Sequence, residues 1–143
     1  MDLIQQLQDK DNKKAYDLMK KTSKESSESN KYYSYFDGFI SLLSNPNAYV
    51  RTRGFILACA QVRWDQDNLL EKNLDTLLEV LNDEKPVVVR QCISALPEVV
   101  LYHPEFSPKI NTYIEKIDLT KYPDSMRPLI KKDIQELKRS LNI

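Results

Sequence analysis

Residues 69–82 read LLEKNLDTLLEVLN, and their apolar positions Leu70, Leu74, Leu77, Leu78 and Leu81 fall at offsets 0, 4, 7, 8 and 11. That spacing follows one face of an α-helix, whereas a half-buried strand would alternate. The same offsets recur upstream at Tyr32, Phe36, Phe39, Ile40 and Leu43, and downstream at Phe106, Ile110, Tyr113, Ile114 and Ile117. With starts at 32, 70 and 106, the copies lie 38 and then 36 residues apart.

A second stripe is interleaved with the first. It starts at Val50, Val89 and Met126, which are 39 and 37 residues apart, and an arginine follows each start: Arg51, Arg90 and Arg127. Its members are Val50, Gly54, Leu57, Ala58 and Gln61, then Val89, Ile93, Leu96, Pro97 and Val100, then Met126, Ile130, Asp133, Ile134 and Leu137. Two amphipathic helices per period predict an all-α fold: an α-α superhelix of about three hairpins in which no copy buries its stripe alone. The expected repeats cover 31–64, 65–103 and 104–143. Residues 1–30 form a degenerate N-terminal cap of one domain spanning 1–143.

Composition agrees with this reading. A chain of 143 residues suits one domain. Two glycines, Gly38 and Gly54, are too few for hairpin-rich sheets or phosphate-cradling loops. No apolar run approaches the length of a membrane span. The 21 basic residues balance 21 acidic ones, so no global field draws the chain to nucleic acid or anionic lipid. Cys59 and Cys92 lack CxxC companions, and His103 is the one histidine, so neither a metal nor a cofactor is expected. The opening Met1-Asp2-Leu3 carries no secretory pattern, which makes the cytoplasm the expected location.

Local punctuation refines the map. Asn45 with Pro46, and Asp83 with Pro86, predict helix starts. Pro97 falls mid-helix at an inward position, which predicts a kink there. The segment from Thr22 to Asn30 is rich in Ser, Lys and Glu and is expected to fray.

Asn45-Pro46 through Val50-Arg51, and Asp83 through Pro86 to Val89-Arg90, resemble HEAT repeats, and the resemblance covers roughly residues 31–141. More narrowly, Tyr35-Phe36-Asp37, Tyr49 through Gly54, Arg63-Trp64-Asp65, Arg90-Gln91-Cys92 and Asp124 through Leu129 are similar to small Firmicute HEAT-like proteins labelled SufBD. That label names iron–sulfur assembly, for which this chain supplies no cluster ligands. The resemblance therefore implies a fold and a partner-binding role, with no catalytic activity to carry over.

In HEAT-like stacks the second helix of each pair lines the concave surface. The second helices here are basic on balance and the first helices acidic, so the resemblance implies a mildly basic groove. The candidate binding residues are Arg53, Arg63, Trp64, Arg90, Gln91 and Lys131. The expected occupant is an acidic segment of a protein partner, held without enzymatic chemistry by a chain that is monomeric or weakly self-associating. The alternative is nucleic-acid binding related to the alkylpurine DNA glycosylases, which place aromatics and a carboxylate on a basic concave face; Trp64 and Asp65 invite that comparison. Three placements would be structural instead: Arg51, Arg90 and Arg127 as a ladder between hairpins, Asp133 as a partner for one of the arginines, and Asp65 as a cap of the following helix.

Overall fold

Asparagine and aspartate side chains decide where the principal helices begin. Asn45 Oδ1 accepts the Asn47 N–H at 2.9 Å, and Asn47 Oδ1 then accepts the Tyr49 N–H at 2.9 Å, so the helix opens at Ala48. One hairpin later Asp83 Oδ1 accepts the Lys85 N–H at 2.9 Å, and Pro86 takes the first helical turn. The caps thus lie two residues downstream of the expected ones, because Asn45 and Asp83 close Asx turns ahead of the helix.

The computed structural model describes residues 2–141, so Met1, Asn142 and Ile143, at the edges of the expected cap and third repeat, lie outside the described residues. The described residues form eight α-helices and no strand. In order these are α1 (Leu3–Gln6), α2 (Asn12–Ser26), α3 (Phe36–Ser41), α4 (Ala48–Ala60), α5 (Leu69–Leu78), α6 (Pro86–Tyr102), α7 (Ser107–Glu115) and α8 (Arg127–Leu141). Short 3-10 turns extend α3 at both ends, α5 at its end and α7 at its start.

Helices α2, α4, α6 and α8 pack side by side in that order. Helix α3 packs on α4 and α5, α7 packs on α8, and the 3-10 turn after α5 packs on α6. One apolar cluster runs between these layers, from Leu3 to Leu141. The leucine stripe of α5 is buried throughout, and the stripes around α3 and α7 are buried or half-buried. In the second stripe Pro97 is the exception: it is exposed, Val99 takes the inward place, and α6 continues unbroken to Tyr102.

The segment expected to fray is helical as far as Ser26. Thr22 Oγ1 donates to the Leu18 carbonyl at 2.8 Å and Ser26 Oγ to the Thr22 carbonyl at 2.7 Å. Both side chains are buried, and Gln61 Nε2 donates to Ser26 Oγ at 2.9 Å. Packing against the end of α4 outweighs the poor helix propensity of serine.

Polar bonds between neighbouring hairpins span 32 to 41 residues of sequence. Arg51 donates twice to Asp83 at 2.7 and 3.1 Å, and to the loop carbonyls of Asn45 and Pro46. Tyr122 Oη donates to the Asp83 carbonyl at 2.6 Å, so the Asp83 loop is gripped from both sides. At the opposite ends of the helices, Trp64 Nε1–H donates to the Ser26 carbonyl at 2.7 Å and His103 Nε2–H to the Val62 carbonyl at 2.8 Å.

Candidate functional site

Between α2, α4 and α6 a trough of about 350 Å³ opens on the face turned away from α3 and α5. Each helix contributes one outward stripe at three- and four-residue spacing: Asn12, Lys13, Tyr16 and Met19 from α2; Tyr49, Thr52, Arg53 and Ile56 from α4; Val87 and Gln91 from α6. Tyr16, Tyr49 and Val87 are 50%, 60% and 57% exposed. They are half of the six large apolar side chains left open to solvent among the described residues, so this patch is a concentration rather than scatter.

The margin of the trough is basic on one side. Of the lysines on α2, Lys13 lines the trough and Lys20 stands beside it, whereas Lys14 bridges to Asp9 and Lys21 to Glu25. Lys20 Nζ lies 5.6 Å over the Tyr16 ring, and Lys13 bridges to Asp17 at 3.1 Å in a fully wet pair that contributes little to stability. On the α8 side a second depression of about 250 Å³ shares Val87 and Gln91 with the trough and is lined further by Arg90, Ser94 and Asp133.

Arg53 forms part of the trough and is 3% exposed. Its Nη1 donates to the Leu7 carbonyl at 2.8 Å and its Nη2 to Asn12 Oδ1 at 3.1 Å, both neutral acceptors. Burial lowers its affinity for the proton, opposed by the field of Asp9. Asp9 itself leans toward Lys14 at 3.7 Å.

The other arginines of the expected groove are differently placed. Arg63 bonds Glu98 and the Ser27 carbonyl, and lies 4.9 Å from the Tyr102 ring centroid. Arg90 bonds Asp133 at 2.7 Å, which raises its affinity for the proton and gives Asp133 its arginine partner. Arg127 bonds the Tyr122 and Thr120 carbonyls of its own loop. Arg51, Arg63 and Arg90 are each held by a carboxylate of the next hairpin, because their guanidinium forks fit those carboxylates, so Arg51 and Arg90 take the laddered placement while Arg127 bonds within its own loop. Gln91 lies exposed on the trough rim, and Lys131 is exposed on α8 outside the trough.

Trp64 and Asp65 lie outside the trough as well. The indole is tied to Ser26, and the Asp65 carboxylate accepts the Leu69 and Leu70 N–H groups at 2.9 and 3.0 Å and the Tyr33 hydroxyl at 2.7 Å. Asp65 thus caps α5 from a distance, because Asn68, in the left-handed region at φ 56°, has no side-chain cap bond of its own. That hydrogen bond and burial push the Tyr33 hydroxyl well above its ordinary range, burial being the larger cause.

No group of three or more His, Cys, Asp or Glu side chains gathers among the described residues, and none of their helices is long and apolar enough to cross a membrane. Comparisons with protein-family models, with curated proteins and with solved structures find no match.

Proposed function

We propose that this protein is a non-enzymatic HEAT-like interaction module that takes an acidic, amphipathic segment of a protein partner into the trough between α2, α4 and α6. The observation that carries the reading is the joining of Tyr16, Tyr49 and Val87 in one apolar trough beside the lysines of α2. Exposed aromatics supply contact area at low entropic cost, and a basic margin selects an acidic partner and speeds its encounter. The HEAT-like part of the reading is supported by helix pairs at a 36–39-residue period, joined by side-chain bonds that span 32 to 41 residues.

A fluorescent, amidated peptide with leucines at helical spacing and glutamates between them is a direct probe. Wild-type protein binds it more tightly than a twin with lysine in place of glutamate, and the affinity falls as ionic strength rises past about 0.15 M. Tyr49→Lys and Val87→Lys, both at exposed positions, abolish binding without changing the melting temperature. Equal binding of both peptides, or retention by both variants, overturns the reading.

A further inference from the structure

We propose that Arg53 is the residue that reads the partner: a side-chain carboxylate next to the apolar residue seated in the trough pairs with its guanidinium. This inference rests on the trough being the binding site. It begins with a contrast among the arginines. Arg51, Arg63, Arg90 and Arg127 have side chains 17%, 23%, 37% and 41% exposed, and each meets a carboxylate within ion-pair distance. Arg139 is exposed on α8, whereas Arg53, as a whole residue, is 3% exposed, and its only hydrogen-bond acceptors among the described residues are a backbone carbonyl and an amide oxygen. A buried cation hydrogen-bonded only to neutral groups, and met by Asp9 only through its field, is costly, and a carboxylate arriving with the occupant would recover part of that cost.

The chemistry of the occupant follows from what surrounds Arg53. Met19, Ile56, Tyr16 and Val87 make the trough apolar, so the entering group needs an apolar side chain as well as the anion. The volume of about 350 Å³ holds a few side chains rather than a whole helix. Lys13 lines it on the α2 side and Lys20 stands beside it over Tyr16, where further acidic residues of the same segment would lie. An amphipathic peptide with several internal acids fits this charge pattern better than a single terminal carboxylate.

The test compares three acetylated, amidated peptides of one sequence: the glutamate–leucine parent, a twin with the central glutamate changed to glutamine, and a twin with the neighbouring leucine changed to serine. The parent binds wild type at least about tenfold more tightly than the glutamine twin, and the serine twin does not bind. The preference for glutamate persists in about 1 M salt and in the Lys13→Gln/Lys20→Gln variant, since a desolvated pair is screened less than an exposed one. In Arg53→Gln the parent and the glutamine twin bind alike. Arg53 also ties the α1–α2 loop, so circular dichroism must show that variant folded. Val87→Glu provides a second arm at an exposed position and weakens the parent more than the glutamine twin.

Equal binding of parent and glutamine twin to wild type overturns the role of Arg53 and leaves the trough reading intact. Loss of the glutamate preference in the double-lysine variant also overturns it, by assigning the selection to the lysines. Binding by none of the peptides overturns both the inference and the trough reading.

Discussion

Replacing Gly54 with alanine adds one methyl where α4 comes closest to the end of α3. A Cβ at that position would lie 2.7 Å from Leu42 Cβ and 2.7 Å from the Phe39 carbonyl oxygen. Neither neighbour is the free end of a flexible side chain, so relief requires the two helices to separate. Overpacking of this kind costs about 1–3 kcal/mol, toward the upper end when backbone must move. Alanine returns about 1 kcal/mol of helix propensity, leaving a net loss of about 1–2 kcal/mol. At this chain length that lowers the melting temperature by about 3–7 °C. Gly38→Ala is the matched control: its Cβ would meet Ile4 Cδ1 and Cγ1 at 2.7 Å, the mobile end of a half-buried side chain on the four-residue α1. Ile4 can swing aside, so this variant melts at or slightly above wild type. Thermal unfolding followed at 222 nm measures both. A Gly54→Ala protein as stable as wild type, or equal losses in the two variants, would refute the close approach of α3 and α4.

Asp83→Ala removes a carboxylate that is 8% exposed from an arginine that is 17% exposed, and destabilises the fold by about 3 kcal/mol in urea unfolding; a loss below about 1 kcal/mol would place the pair among ordinary surface bridges. Burial, chiefly, pushes the Tyr122 hydroxyl up to about 12. Because the folded value lies above the ordinary 10.0, its contribution is intact below pH 10 and is lost as pH rises toward 12. The melting temperature therefore falls across that window, and Tyr122→Phe flattens the decline; an unchanged slope in the variant would assign it elsewhere. Cys59 and Cys92 are buried, and burial pushes both thiols up, so neither reacts with a thiol-specific disulfide reagent until the protein unfolds. Fast labelling of either in native protein would contradict the core described above.

The two apolar stripes were legible in the sequence because each is periodic within a single helix, and the structure buries nearly all of their members. Side-chain partners were less legible. That Asp133 needs an arginine follows from its inward position, but which one depends on the lateral packing of α6 against α8. The start of α4 was misplaced by two residues since Asn45 and Asn47 are both capping residue types, and only backbone geometry separates an Asx turn from a cap. Most of the trough escaped the sequence altogether: Tyr16, Tyr49 and Val87 lie off the buried stripes and come together only when three helices drawn from about 75 residues pack side by side. The one available signal was the occurrence of large apolar residues on the polar sides of α2, α4 and α6. Charge counts, in turn, could not distinguish a free arginine from one already held by a neighbouring carboxylate.

Backbone amide NMR of uniformly ¹⁵N-labelled protein, titrated with the acidic amphipathic peptide, locates any binding face residue by residue. Shifts confined to the amides around Tyr16, Tyr49, Thr52, Arg53, Val87 and Gln91 are the expected result. Shifts centred on α3, α5 and α7, or a spectrum that does not change at saturating peptide, would contradict the account.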